Sequence, residues 1–221
     1  MQVELIPVIE VNYEDSEIIA PNKYPYWEYS ELWDKYHSDC YKKAGFHGKL
    51  TPHVSGSSFY RLADIPDTQL KKMVIDQTQG LRDGTYARAE TCSFFGGYVL
   101  RVDGQDKYFP QCCGELSDIK YWENISNGKH SYYEGHPAPK IEFINNTIVF
   151  DFSVDNSSEM FQPPPPEIIL KVERLELLKS VALAKNKLLE FELRLNKINT
   201  DENLNIDNIG ALLIYENANY N

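Results

Sequence analysis

The chain has 221 residues, 42% of them hydrophobic and 13% aromatic, enough to bury one substantial core and to exclude wholesale disorder. Its formal net charge is −11, which argues against a phosphate-backbone partner, since nucleic acids draw clustered Lys and Arg. No stretch approaches the ~20 apolar residues of a membrane span and the N-terminus lacks a basic, apolar leader, so a cytoplasmic protein without a membrane partner is expected.

The acidity is uneven. Residues 1–22 carry −5, residues 132–162 carry −4, residues 200–221 carry −4, and the remainder carries +2. A basic protein partner fits such a chain. The four cysteines, Cys40, Cys92, Cys112 and Cys113, are too few for a disulfide scaffold and are expected to be reduced thiols.

In chain order, residues 3–9 read as a first strand, with Pro7 confining it to an edge or an end. Residues 27–43 read as an aromatic-rich helix, with Trp27, Leu32, Trp33, Tyr36 and Cys40 near helical spacing and Gly45 as its stop. Residues 45–65 are loop-like, with Phe59, Tyr60 and Leu62 offering a short strand. Pro66-Asp67 opens a second helix carrying Leu70, Met73 and Val74, with Gly80 as its C-cap.

Alternation from Cys92 to Val102 places Cys92, Phe94, Tyr98, Leu100 and Val102 on one strand face, with Gly96-Gly97 marking a bulge or a close backbone approach. Asp103-Gly104 is a type I′ hairpin signal, and Asn145-Asn146 marks a second hairpin between residues 141–144 and 147–154. Between the two, Ser117 reads as the cap of a short helix through Ile125. The sequon at Asn156-Ser157-Ser158 carries little meaning for such a protein.

Pro163–Pro166 then lead into residues 167–199, which contain neither Gly nor Pro. They read as a stiff spacer followed by one helix roughly 50 Å long. One apolar stripe runs Leu170, Leu177, Val181, Ala184, Leu188, Phe191, Leu195 and Ile198, and a second runs Ile168, Val172, Leu175, Ala182 and Leu189. This is the pattern of bundle or coiled-coil packing, either over the body or in a homodimer. Residues 211–215 suggest a last strand in an acidic tail.

The fold class expected is therefore α+β: a mainly antiparallel sheet built from hairpins, with peripheral helices and one long C-terminal helix. The division expected is a body over 1–155, a Pro-rich linker over 156–166, and a helix with tail over 167–221.

The common catalytic and nucleotide motifs fail. Gly48-Lys49 is followed by Leu50 and preceded by Lys43 rather than by the glycine a phosphate loop needs. There is no Gly-x-Ser-x-Gly, His-Glu-x-x-His, Gly-x-Gly-x-x-Gly or EF-hand pattern. His37 and Cys40 share a helix face without the paired spacing of structural zinc. Cys112-Cys113 could supply a nucleophile only with a histidine base, for which His130 and His136 lie nearest in sequence. No catalytic, metal or cofactor site is assigned at this level.

Aromatics interleaved with acids suit a protein interface. Glu115, Asp118, Tyr121, Trp122, Glu123, Tyr132 and Tyr133 form the surface expected to meet a basic partner. In composition the chain resembles bacterial immunity proteins, which neutralise basic toxin domains; the resemblance covers no motif and transfers no residue. A non-enzymatic binding protein of that inhibitor type is the expectation. The alternatives are an enzyme using a Cys or a carboxylate in a pocket, and an assembly protein dimerising through residues 167–199.

Overall fold

Two short turns with positive φ close the two hairpins of the fold. Asp103 and Gly104 at φ 48° and 78° close one hairpin, and Asn145 at φ 55° closes the other. Both are conformations that Asp, Asn and Gly adopt at low cost. The computed structural model describes residues 1–133, 135–154 and 159–215. Sequon residues 156–158, the start of the expected linker and the end of the acidic tail lie outside the described residues.

The elements in chain order are β1 (Val3–Glu10), α1 (Ser30–Lys43), β2 (Phe59–Arg61), α2 (Asp67–Gln77) and α3 (Gln79–Arg82), then β3 (Gly96–Val102), β4 (Gln105–Tyr108) and α4 (Ile119–Ser126). They continue with β5 (Lys140–Ile144), β6 (Thr147–Asp151), β7 (Ile169–Glu173), α5 (Arg174–Asp201) and α6 (Ile209–Leu213). The α+β class, with antiparallel sheets and a long late helix, is what the sequence predicts.

The chain forms two compact units, one of Met1–Pro7 with Phe95–Glu190 and one of Val8–Phe94 with Phe191–Asn221. In the first, β5, β6 and β7 form an antiparallel sheet in that order, with Ile148 opposite Val172 and Phe150 opposite Leu170. Its core is aromatic. Tyr108 stacks on Phe152 at 5.6 Å, Trp122 lies 6.1 Å from Phe150, and Phe161 meets Phe152 edge-on at 5.3 Å. Burial of each such ring stabilises the unit by roughly 1.5–3 kcal/mol.

In the second unit, residues 8–10 of β1 pair with β2. Leu70 and Val74 of α2 are fully buried, as are Ile209, Leu212 and Leu213 of α6. Phe94 N donates to Leu213 O at 3.0 Å, and the Phe94 ring lies 6.2 Å from that of Phe191. Pro7 sits inside β1, immediately before the pairing with β2 begins, rather than at a strand end.

Several expectations are corrected. Residues 169–173 are strand, not helix: Leu170 and Val172 face inward while Ile169, Lys171 and Glu173 face out, a period of two that pairing with β6 selects. The prolines thus join β6 to β7, neighbours in one sheet, and α5 starts only at Arg174. Residues 211–213, expected within a strand over 211–215, belong instead to the helix Ile209–Leu213, which Asn208, left-handed at φ 42°, caps by accepting from Ala211 N at 3.1 Å. Gly80 lies within α3 beneath the Tyr86 ring, and α2 closes at Thr78 instead. Ser117 caps nothing; the Asp118 carboxylate accepts from Glu115 N at 3.0 Å. Cys92 is exposed rather than on the buried face of β3.

The first stripe of the long segment is buried at every position, Leu170, Leu177, Val181, Ala184, Leu188, Phe191, Leu195 and Ile198. In the second stripe Val172 is buried, whereas Ile168, Leu175 and Leu189 are exposed.

Candidate functional site

The second unit contains a cleft of about 700 Å³ between α1 and the loop 46–52, within the usual range for a small-molecule site. Helical spacing explains its helix wall: Asp34, His37, Ser38, Tyr41 and Lys42 fall at i, i+3, i+4, i+7 and i+8, one face of α1. The opposite wall is Phe46, His47, Lys49 and Leu50.

Polar contacts hold both walls. Phe46 N donates to Tyr41 O at 2.9 Å where the chain leaves α1. Gln69 Nε2 donates to His47 O, beside Gly48 at φ +98°. Arg61 Nε donates to His53 Nδ1 at 2.7 Å at the loop's far end.

Four polar groups of the cleft, Asp34, Tyr41, Ser55 and Tyr60, are engaged within the protein. Tyr41 donates its hydroxyl to Val11 O at 2.7 Å, and Tyr60 donates to the Tyr41 oxygen at 3.3 Å. Burial pushes the Tyr60 hydroxyl up to about 12 and the Tyr41 hydroxyl higher still, so both remain neutral phenols. The Asp34 carboxylate accepts from Ser55 Oγ at 2.5 Å and from Gly56 N at 2.7 Å.

His37 differs. Its ring stacks on Tyr41 at 6.0 Å and approaches Trp33 at 5.8 Å, and its Nδ1 is buried with no hydrogen-bond partner among the described residues. Burial holds its pKa below the ordinary value, with Asp34 pulling weakly the other way. A neutral imidazole with one uncommitted nitrogen therefore borders the cleft. His37 and Cys40 gather no third His, Cys, Asp or Glu ligand atom among the described residues, and Cys40 is buried.

In the first unit, the surface expected to meet a basic partner is largely core. Tyr121 and Tyr133 pack ring against ring at 4.9 Å, and Asp118, Tyr121, Trp122 and Tyr133 are all buried. Glu115 and Glu123 are partly exposed, and Tyr132 is exposed. Glu123 already accepts from Lys185 at 2.9 Å, leaving little uncommitted acidity there.

The same unit brings Cys112, Cys113 and His136 together, all exposed. Cys113 Sγ lies 3.6 Å from His136 Nε2, which makes His136 the histidine near these thiols. His130 instead packs its ring against Phe143 at 4.9 Å. Sequence reasoning could name Cys112-Cys113 but had no signal for which histidine folds back onto them.

No helix among the described residues is long and apolar enough to cross a membrane. Comparison with protein-family models, with curated proteins and with solved structures finds no match to this chain.

Proposed function

We propose that this chain is a non-enzymatic binding protein whose ligand occupies the cleft between α1 and residues 46–52, and that the ligand is a small anion with an aromatic or apolar body. The observation that carries this reading is the division of polar groups lining the cleft. Among the described residues its one lining carboxylate, Asp34, is already held by Ser55 and Gly56, while His37, His47, Lys42 and Lys49 line the same space. Tyr41, Phe46, Leu50 and Tyr60 supply the apolar walls. Binding rather than turnover is supported by the commitments of the hydroxyls, since Ser55 donates to a carboxylate and not to a histidine base.

The test is a thermal-shift screen with small aromatic carboxylates and phosphates, followed by titration on Trp33 fluorescence, because that indole lies 5.8 Å from the His37 ring. A ligand at 100 times its Kd raises stability by about 2.7 kcal/mol. Binding that Lys49→Glu and His37→Ala each weaken supports the reading. Hits whose affinity neither substitution changes would place the ligand elsewhere.

A second reading is self-association through α5. Leu175, Leu178, Leu189 and Leu193 are exposed at heptad-like spacing on a face other than the buried stripe. Sedimentation equilibrium of the full chain against Leu189→Lys distinguishes the two: a monomer in both cases removes this reading.

A further inference from the structure

We propose that Cys112, Cys113 and His136 form a binding site for a thiophilic divalent cation of the zinc class. Three features of the first unit build it.

The first is backbone. In an extended chain adjacent side chains point to opposite sides, so neighbouring cysteines do not ordinarily chelate one ion. Cys113 is left-handed at φ 65°, and the two sulfurs lie 3.6 Å apart. That spacing is too long for a disulfide and short enough for a shared ion.

The second is distance. Ligands about 2.3 Å (sulfur) and about 2.0 Å (imidazole nitrogen) from a tetrahedral ion stand roughly 3.8 Å apart for S···S and roughly 3.5 Å for S···N. The structure gives 3.6 Å between the sulfurs and 3.6 Å from Cys113 Sγ to His136 Nε2, with all three ligand atoms within 4.8 Å of one another. Little movement is needed to seat the ion.

The third is support. His136 N donates to Cys112 O at 3.0 Å in an isolated antiparallel bridge, which fixes the histidine's segment beside the thiols. Gly114 N donates to Gln111 O at 3.0 Å, and Gly96 N donates to Gly114 O at 2.9 Å. A Cβ at Gly114 would stand 2.7 Å from Gly96 O, so only glycine fits that approach. Buried Gln111 anchors the loop, its Nε2 donating to Phe109 O at 2.8 Å and its Oε1 accepting from Gln162 N at 2.9 Å. The three ligands are therefore held by backbone pairing on one side and by a buried amide on the other.

Two soft sulfurs and an imidazole favour zinc-like ions over calcium or magnesium, which take oxygen ligands. On binding, each thiol loses its proton to solvent; two S–metal bonds and one N–metal bond form, and no electron is transferred. All three ligands are exposed, so the fourth position is open to water or to a donor from another molecule.

The experiment uses the full chain, reduced and freed of metal, titrated with Zn2+ against a chromogenic chelator and with Co2+ as a spectroscopic stand-in. One equivalent per chain is expected, with a thiolate-to-cobalt charge-transfer band. Cys113→Ser and His136→Asn are each expected to weaken Zn2+ binding by about 100-fold or more, at or beyond the upper end of what loss of an outer-shell partner costs. Cys92→Ser, an exposed thiol outside the cluster, leaves it unchanged.

Alkylation of the unsubstituted protein, mapped by peptide mass spectrometry, gives a readout independent of any variant's folding. Zn2+ is expected to protect Cys112 and Cys113 and to leave Cys92 reactive. Binding below one equivalent, equal protection of Cys92, or an affinity unmoved by Cys113→Ser would overturn the site.

Discussion

Arg194 and Asp67 meet at 2.9 Å from Nε and 2.7 Å from Nη2, and the same guanidinium donates from Nη1 to Leu62 O at 2.8 Å and from Nη2 to Ile65 O. One side chain of α5 thereby satisfies two carbonyls of the turn that precedes α2. Asp67 is mostly exposed, so the ion pair itself contributes under about 1 kcal/mol. The carbonyl contacts are partly buried and hold most of the value.

Arg194→Ala is accordingly expected to destabilise the protein by about 2 kcal/mol, and Asp67→Ala by less than about 1 kcal/mol. Urea denaturation of both variants checks this, and the reverse ranking would show that the ion pair dominates.

His37 predicts an acid-side loss of stability. Its pKa in the fold lies below the ordinary 6.5, chiefly through burial. Below pH 6.5 the unfolded chain therefore binds more protons at this position than the folded one, and stability falls as pH drops from 6.5 toward the folded value. His37→Gln should flatten that part of a Tm-against-pH curve. An unchanged slope between the two proteins would assign the loss to other groups.

Asp118 and Glu123 separate a structural acid from a surface acid within one short stretch. Asp118 is buried and accepts from Glu115 N, whereas Glu123 shares a half-exposed pair with Lys185. Asp118→Ala is expected to cost about 1–2 kcal/mol and Glu123→Ala less than about 1 kcal/mol. Thermal melts of the two variants, taken side by side, test the ranking.

What was legible in the sequence follows locality. Asp103-Gly104 and Asn145-Asn146 announce their hairpins because the required backbone is set by the turn residues themselves. The buried stripe of α5 is legible for the same reason, since its spacing is a property of one helix. The strand at Ile169–Glu173 is not, because Ile-Leu-Lys-Val-Glu satisfies either period and pairing with β6 decides the outcome.

Burial of Tyr121, Trp122 and Tyr133 was equally hidden. The rings that cover them include Tyr108 and Phe150, which arrive from separate segments. The cleft was not legible: the sequence pairs His37 with Cys40, which does not line it, and the opposite wall, residues 46–52, reads only as loop. For the thiols, 23 residues separate Cys113 from His136, and no spacing rule spans that distance.

The segments of the two units alternate in sequence: Met1–Pro7 belongs with Phe95–Glu190, and Val8–Phe94 belongs with Phe191–Asn221. No single cut can therefore release either unit whole, and a truncation near residue 156 strips both, removing β7 and the start of α5 from one and the end of α5 with α6 from the other. During synthesis the second unit waits for residues beyond Phe191 before its Val8–Phe94 segment finds its closing pieces. Such long sequence separation slows folding, and Phe94 meets the Phe191 ring and the Leu213 carbonyl only once the chain has been made through those residues.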